Sequence, residues 1–425
     1  MVGRPPLRPW HFVLCFGLVS LFADMVYEGA RSIIGPYLAT LGASATVVGV
    51  VAGAGEFIGY GLRVVSGYLV QRGGHYWAWT ITGYALTVLS VPLIGATNAI
   101  APALLLYGTE RLGKAVRSPA KDTLLSHAST RTGRGTAFGV HQGMDQVGAM
   151  AGPLLLAAVL SHNAGDYRMA FGVLIVPGVL VLGLLLWLRH RVPDPASYEL
   201  DPASYELDAA SYELDAAPRE VAPSAPHSSR AGSAGRDHGS HWVPLPPLLW
   251  EYIGAIGLLS LGIASFPLLA FHAQTQGLLS AAQVPLLFAL AMLVDGVSGL
   301  LMGRFYDRRG PRTLLVVPFA AGVAAIAFTM NATLVWVGVA VWGVVNGVLD
   351  STVKAVVTEL VAPGARAVAF GWLALVRGLA LLVAGVALGL AYDRSIALAV
   401  WLILGVNLLA LIALSRVVAR LRPSS

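Results

Sequence analysis

The sequence predicts an all-α integral membrane protein with twelve transmembrane helices in two pseudo-symmetric six-helix bundles. Of its 425 residues, 56% are hydrophobic and 12% are charged, whereas a soluble domain carries roughly 25% charged residues. Apolar stretches close to the roughly 20 residues that cross the hydrocarbon recur along the chain. They predict helices at 11–39, 46–70, 77–96, 101–128, 135–160, 168–189, 248–272, 282–306, 312–330, 333–361, 367–391 and 394–416.

The N-terminus superficially resembles a signal peptide, because Arg4 and Arg8 precede an apolar run. That run, however, carries Asp24, Glu28 and Arg31, and no small-residue cleavage site follows a short apolar core. We therefore expect a retained first helix. The single cysteine of the chain excludes an internal disulfide framework.

Basic residues in the connections are concentrated on one side of the predicted bundle. The other side holds little beyond Arg168 and Arg394. We expect a multi-pass protein of the bacterial inner membrane, and the positive-inside rule predicts that both of its termini lie in the cytoplasm. We expect a monomer in the lipid bilayer with no nucleic-acid partner, since the basic residues belong to these loops. The basic side contains Arg4, Arg8, Arg72, Arg131, Arg134, Arg189, Arg191, Arg308, Arg309, Arg312, Arg366, Arg416, Arg420 and Arg422.

A polar segment separates the halves and predicts three regions: an N-terminal bundle at 1–189, a linker at 190–246 and a C-terminal bundle at 247–425. The linker is rich in Pro, Ala, Ser and charge, a composition that predicts a disordered cytoplasmic segment. It holds three copies of the motif Ser-Tyr-Glu-Leu-Asp, which predict a spacer or, alternatively, a docking motif or short helix. The copies are Ser197–Asp201, Ser204–Asp208 and Ser211–Asp215.

The two halves also resemble each other. The segment Arg134-Gly-Thr-Ala-Phe-Gly139 opens the fifth predicted helix, and Arg366-Ala-Val-Ala-Phe-Gly371 opens the eleventh. The loops after the second and eighth helices, at 67–74 and 303–310, match at a similar offset. An internal repeat of two six-helix units is typical of secondary transporters.

These loops resemble the signature Gly-x-x-x-Asp-Arg-x-Gly-Arg-Arg of the major facilitator superfamily, and the resemblance covers nearly the whole chain. In the first copy Gln71 stands where Asp is usual. The resemblance implies that this loop is a cytoplasmic latch that favours the outward-facing state. An Asp there can meet the positive end of a neighbouring helix. The matching residues are Gly67, Arg72 and Gly74 in the first copy and Gly303, Asp307, Arg308, Gly310 and Arg312 in the second.

The fifth predicted helix resembles a motif of proton-coupled drug exporters. Gly139, Gly148, Gly152 and Pro153 match its spacing, although its trailing glycines are absent. Small residues let helices approach closely, and ordinary helix packing explains the same pattern. Arg111 stands where the exporters have the Arg of a motif Arg-x-x-Gln-Gly. Lys114 and Ala115 stand in place of its Gln-Gly, so the rest of that motif is not matched. The resemblance therefore favours export by proton antiport.

Charged residues recur at membrane depth, where each costs about 2.5–3.5 kcal/mol on insertion scales. The first, second, fourth and tenth helices carry them at helical spacing, as in the fourth-helix stripe Glu110, Lys114, Arg117 and Lys121. The resemblance places the first, fourth, seventh and tenth helices around the central cavity. Salt bridges that only join helices explain any single pair equally well, and Lys121 near the helix end is expected to act as a gate or snorkelling group.

We assign two roles to the mid-membrane residues. Desolvation favours the neutral form of a carboxyl, so a carboxylate in a cavity can carry a proton, and Arg can hold an anionic group by two hydrogen bonds. The proton-coupling candidates are Asp24, Glu28, Glu56, Asp145 and Asp295. The substrate-binding candidates are Tyr27, Arg31, Tyr60, Arg63, Glu110, Arg111, Lys114, Asn346, Asp350 and Arg377.

Three functions remain open at this point. The first is a secondary transporter that exports a small solute by proton-coupled alternating access, and the second is an uptake symporter or exchanger for a small organic anion. The third is a membrane sensor or scaffold that does not transport. No phosphate-binding loop, zinc-ligand spacing or nucleophile elbow is present, so we expect neither an enzyme nor a cofactor or metal.

Overall fold

The structure, a computed structural model, describes residues 7–129, 132, 134–198, 245–362 and 365–421. Every regular element in these residues is a helix, and three short segments at 195–198, 310–315 and 325–328 are 3₁₀-helices. The α-helices are α1 Pro9–Thr40, α2 Ala45–Gly73, α3 Tyr76–Ile94, α4 Ile100–Ser129, α5 Arg134–His162, α6 Tyr167–Val173, α7 Ile175–Arg191, α8 Pro247–Leu261, α9 Phe266–Thr275, α10 Gln283–Arg309, α11 Val316–Ala324, α12 Ala332–Leu360, α13 Arg366–Arg394 and α14 Ile396–Arg420.

The described helices cross a membrane twelve times, as predicted. Ten segments are long and apolar enough to span, and one of them, Gln283–Phe328, has 46 residues and contains two crossings, α10 and the segment around α11. The twelfth crossing is α4, whose six charged residues lower its mean hydropathy. Large apolar side chains such as Leu105 and Trp401 are more than two-thirds exposed on the outer surface, which is expected of a surface in lipid.

Three crossings that were predicted as continuous helices are interrupted in the structure. The sixth consists of α6 and α7, the seventh of α8 and α9, and the ninth of α11 between two 3₁₀-helices. Pro177, Pro267 and Pro318 lie just after these breaks or at the start of the new helix. Because proline has no N–H, it leaves the carbonyl four residues earlier without its helical partner.

The beginning of the predicted linker is ordered. Helix α7 extends to Arg191, and the 3₁₀-helix Pro195–Tyr198 packs on the N-terminal bundle. The Tyr198 hydroxyl donates a hydrogen bond of 2.7 Å to the carbonyl of Leu7, and its ring lies 5.7 Å from that of Phe12. The second and third copies of the repeated motif lie outside the described residues.

The helices form two bundles, α1–α7 and α8–α14, that meet along matched seams. Helix α2 packs on α13, and α5 packs on α10. These are the second crossing with the eleventh and the fifth with the eighth. A pseudo-two-fold axis that exchanges the halves converts one of these pairs into the other, so the contacts follow the internal repeat seen in the sequence.

The seams are tightest at one end of the molecule. We call the end where α1 begins and α14 ends the termini end, and the opposite end the far end. At the far end a Cβ on Gly49 of α2 would fall on the carbonyl of Gly385 of α13, and one on Gly35 would fall on the carbonyl of Pro267. The Tyr167 hydroxyl donates a hydrogen bond of 2.5 Å to Gln274 Oε1 across the halves. The far end is therefore closed.

Candidate functional site: a charged central cavity

A cavity of about 350 Å³ lies between the two bundles at mid-depth and extends toward the termini end. Its charged lining is balanced, with six carboxylates and six cations, and most of these groups belong to the N-terminal bundle. The carboxylates are Asp24, Glu28, Glu56, Asp145, Asp295 and Asp350, and the cations are Arg31, Arg63, Lys114, Arg117, Lys121 and Arg377.

Helix α1 supplies one continuous polar face to this cavity. Pro9 occupies the first position of α1, where its missing N–H costs no helical hydrogen bond. Apolar residues along the length of the helix are buried in the N-terminal bundle. Asp24, Glu28 and Arg31 recur at helical spacing and all line the cavity, as predicted. Glu28 lies 3.5 Å from Arg31 and 3.8 Å from Lys114 of α4.

A chain of alternating charges leads from the cavity into the N-terminal bundle. Glu56 of α2 lies 3.2 Å from Arg31 and 3.7 Å from Arg111, and Arg111 Nε lies 2.8 Å from Glu110 Oε2. Arg111 and Glu110 are only 2% and 1% exposed and do not line the cavity. These two predicted substrate-binding residues therefore lie one layer behind the wall, where they can hold Glu56 and Arg31 in position.

A second polar cluster lies on the termini side of Asp24. His141 Nε2 is 3.1 Å from Ser20 Oγ, 3.0 Å from Lys121 Nζ and 3.7 Å from Asp145 Oδ2. Asp24 is 7% exposed. In the part of the chain that the structure describes, Asp24 forms no ion pair, unlike most carboxylates around it.

The C-terminal bundle contributes fewer charged groups. Arg377 of α13 lies 3.5 Å from Asp350 of α12, whose side chain is 65% exposed, and packs over the Tyr60 ring at 5.6 Å. Asn346 lines the cavity and donates a hydrogen bond of 2.9 Å to the Trp342 carbonyl. Asp295 of α10 lines the wall without an ion pair among the described residues.

The structure adds groups that the sequence-based assignment left out. Arg117 and Lys121 line the cavity, although the sequence placed Arg117 only in a charged stripe of α4 and gave Lys121 a role as a gate or snorkelling group. Their spacing from Lys114, three and seven residues, places them on the same helical face and was the available signal. Gln142, Gln146 and Trp342 also line it; they are uncharged, so no charge pattern marks them.

The predicted loop motifs lie at the termini end, away from the cavity. Gly74 ends α2 with a φ of 61°, a left-handed conformation that favours glycine. Gly310 ends α10 with a φ of 62°. Asp307 and Arg308 are exposed there, as is Arg72, whose guanidinium packs 4.7 Å from the Tyr68 ring. The remaining residues of the two motifs are Gly67 near the end of α2, Gly303 near the end of α10, and Arg312, which follows Gly310.

The fifth-helix motif joins α5 to α1. A Cβ on Gly148 would fall on the carbonyl of Leu21, and one on Gly152 would fall on the carbonyl of Met25. Gly139 has nothing within 4 Å of such a Cβ, and Pro153 lies inside the helix. Two of the three glycines therefore bring α5 against the part of α1 around Asp24, from Leu21 to Met25.

Comparison with known proteins agrees with this architecture. The chain is 45% identical over 423 residues to a Mycobacterium tuberculosis protein described as uncharacterized, covering 99% of this chain and 96% of that protein. A single-residue mutant of the nucleoside transporter NupG superposes with a TM-score of 0.71 at 11% identity, covering 96% and 99% of the two chains. A bacterial homologue of the human lysosomal transporter Spinster superposes with a TM-score of 0.66 at 14% identity, covering 98% and 96%.

A family model accounts for most of the chain. The model of the Major Facilitator Superfamily matches residues 14–385, which include α1 through most of α13. Twelve crossings in two related bundles and a charged cavity between them are the features expected of that family's transporters. This multi-pass chain belongs to the Major Facilitator Superfamily of membrane transporters.

Proposed function

We propose that this protein moves a small polar solute across the bacterial inner membrane by proton-coupled alternating access, in the direction of export. The observation that carries the proposal is the mid-depth cavity, which lies between two bundles closed at the far end and holds two carboxylates, Asp24 and Asp295, that form no ion pair among the described residues. A closed end beside a central site is what one state of an alternating-access transporter requires. A lining this rich in charge favours a polar solute over an apolar drug.

Loop charges support an inward-facing orientation. Arg72, Arg308 and Arg366 are among many basic residues at the termini end, whereas Arg168 and Arg394 are the basic residues of the described far-end connections. The positive-inside rule then places the termini end and both termini in the cytoplasm. We also propose that the segment between α7 and α8, residues 192–246, is a cytoplasmic linker between the two bundles, and that the protein acts as a monomer.

Asp24 is the best-supported proton carrier. It is buried in the cavity wall, it forms no ion pair among the described residues, and α5 packs directly against its helix at Gly148, whose Cβ would lie 3.0 Å from Asp24 Cβ. An unpaired buried carboxyl is most easily neutralised by a proton. We assign supporting roles in proton transfer to Glu28, Glu56, Asp145 and Asp295.

We expect Asp24→Asn to abolish proton coupling and to leave solute exchange in place. The measurement is proton movement in pyranine-loaded proteoliposomes challenged with a panel of carboxylates, phosphates, amino acids and cationic drugs. Glu251→Gln is the matched control, because Glu251 pairs with Arg420 on the surface. Proton movement that continues at the wild-type rate in Asp24→Asn would contradict this role, and a wild-type protein that moves neither protons nor solute would contradict the proposed function.

A second function, uptake or exchange of a small organic anion, is favoured by the six cations of the lining. Anion exchange differs from proton-driven export in its dependence on the pH gradient. Exchange of an anion persists when the gradient is collapsed by an ionophore, whereas proton-driven export stops. Proteoliposomes loaded with each responding anion distinguish them.

The far end must open if access alternates, and Asp393 holds part of it closed. Its carboxylate, at the end of α13, accepts hydrogen bonds from Ala45 N at 2.9 Å, Thr46 N at 2.9 Å and Thr46 Oγ1 at 2.5 Å. These are the unpaired donors at the N-terminus of α2, where a negative charge is favourable. The contact joins the two bundles.

We expect Asp393→Ala to raise the population open at the far end about fivefold, because losing such a cap costs about 1 kcal/mol. The measurement is the labelling rate of Leu382→Cys by a membrane-impermeant maleimide, in a Cys15→Ser background. Asp166→Ala is the control, since Asp166 caps α6 within its own bundle by accepting from Arg168 N at 2.8 Å. Equal labelling rates in Asp393→Ala and wild type would contradict this latch.

A further inference from the structure

We propose that Arg117 and Lys114, with the Tyr27 ring between them, form a subsite that binds an oxyanion group of the transported solute. This inference rests on the proposed transport function and names the substrate class. The solute is small and carries a carboxylate or a phosphate group.

Arg117 is a buried cation whose hydrogen-bonding capacity is unused. It lines the cavity, is 3% exposed, and its Nε and Nη2 atoms have no hydrogen-bond partner among the described residues. It also forms no ion pair with a described carboxylate, although Asp24 lines the same cavity. A guanidinium is always charged in proteins and carries five N–H donors. A buried one without a partner is costly, so a ligand is the partner that this position lacks.

The packing around Arg117 holds its guanidinium in place and leaves Nη1 for such a ligand. Its guanidinium carbon lies 4.3 Å from the centre of the Tyr84 ring and 5.2 Å from that of Tyr27. Gly83 of α3 allows this approach, because a Cβ there would lie 2.6 Å from Arg117 Cβ. Aromatic rings stabilise the guanidinium through cation–π contacts, but they accept no directed hydrogen bond in its plane. The guanidinium is therefore held in position, with Nε and Nη2 enclosed by the protein and Nη1 left to donate a charge-assisted hydrogen bond to an oxyanion in the cavity.

Lys114 supplies the second positive charge of the subsite. It lies three residues before Arg117 on the same face of α4, and its Nζ is 4.1 Å from the centre of the Tyr27 ring. Its other contact is Glu28 Oε1 at 3.8 Å. Glu28 is also neutralised by Arg31 at 3.5 Å, so Lys114 can turn toward an incoming anion without leaving Glu28 unpaired.

The remaining cations of the site are already neutralised or hydrated. Arg31 pairs with Glu28 and Glu56, Arg377 pairs with Asp350, and Lys121 lies 3.9 Å from Asp122. Arg63 is exposed to solvent. Among the described residues, Arg117 is therefore the buried cation of the cavity that can bind an anionic ligand without breaking an existing ion pair.

The test is anion binding to the full-length protein in lipid nanodiscs. Thermal unfolding is followed at increasing inorganic phosphate or acetate, with chloride at the same ionic strength as the reference. We expect a saturable rise of Tm with at least one probe. Acetate then indicates a carboxylate group in the solute, and a response to phosphate alone indicates a phosphate group.

We expect Arg117→Gln to weaken the apparent affinity about 10- to 100-fold, the loss of a charged hydrogen-bond partner. Arg189→Gln, which removes one positive charge from an exposed position at the end of α7, should retain the wild-type affinity. Should Arg117→Gln fail to give a monodisperse protein, Lys114→Gln takes its place with the same expectation.

A wild-type protein without a saturable response to either anion, or an unchanged affinity in the cavity variant, overturns the subsite. The assay measures binding alone, so it is separable from the proposed function. Anion binding without proton or solute movement leaves the subsite in place and removes transport. Proton-coupled movement of a cationic solute without anion binding leaves the transport function in place and overturns the subsite.

Discussion

Arg111→Ala is expected to destabilise the folded protein by about 3 to 5 kcal/mol, the cost of breaking a buried ion pair by removing one partner. Arg111 is 2% exposed and Glu110 is 1% exposed, with 2.8 Å between Arg111 Nε and Glu110 Oε2. The truncation leaves Glu110 as a buried carboxylate without its cation and also removes the pairing of Arg111 with Glu56. The measurement is the unfolding free energy, from denaturant titration in detergent micelles.

Two comparisons make this expectation specific. Arg420→Ala removes an Arg–Glu pair with two hydrogen bonds from the surface, where the side chains are 62% and 44% exposed, and should cost no more than about 1 kcal/mol. The double variant Glu110→Leu/Arg111→Leu should cost less than Arg111→Ala, since it removes both charges. If Arg111→Ala is at least as stable as the double variant, then Glu110 still has a compensating charge when Arg111 is removed, and the expectation is wrong.

Gly49→Leu is expected to abolish transport by forcing the far-end seam apart. Gly49 and Gly53 of α2 face Gly385 and Gly389 of α13, two Gly-x-x-x-Gly pairs that allow close helix approach. A Cβ on Gly49 would fall on the backbone carbonyl of Gly385, and one on Gly53 would lie 2.7 Å from that of Leu381. A backbone group cannot turn away as a side chain can, so the two helices must separate.

The size of this effect follows from the energy of overpacking, about 1 to 3 kcal/mol for a side chain that neighbours partly accommodate. At about 2.7 kcal/mol the balance between far-end closed and far-end open states shifts about 100-fold. Spin labels at Asn163→Cys and Ser280→Cys, exposed positions on opposite bundles at the far end, report this opening as a longer distance. The labels are placed in a Cys15→Ser background.

Gly59→Leu is the matched control for the seam. It lies on α2, and a Cβ there meets nothing within 4 Å. It should leave both the label distance and transport at wild-type values. If the label distance in Gly49→Leu is the same as in the wild type, the substitution does not force the seam open and the expectation is wrong.

The crossings were predictable because the hydrocarbon sets their length. The breaks at Pro177, Pro267 and Pro318 were not predicted, since a proline can also lie within a continuous kinked helix, as Pro36 does in α1. The α1 face with Asp24, Glu28 and Arg31 was predictable because helical spacing alone brings these residues together.

The fourth helix marks the limit of such inference. Its charged stripe was visible in the sequence, yet Glu110 and Arg111 lie behind the cavity wall while Arg117 and Lys121 line it. A charge pattern gives the angular position of each residue on its own helix. It does not give the rotation of that helix against its neighbours, which packing decides.

The sequence by itself determined twelve crossings, their repeat in two halves and the family, because apolar length and motif spacing are local properties. Only the tertiary structure decided that the far end is closed. Gly49 against Gly385, and Asp393 on the N-terminus of α2, are contacts between residues more than 300 positions apart. The tertiary structure also decided that Arg117 has no ion-pair partner among the described residues, since the position of every neighbouring carboxylate depends on how the helices pack.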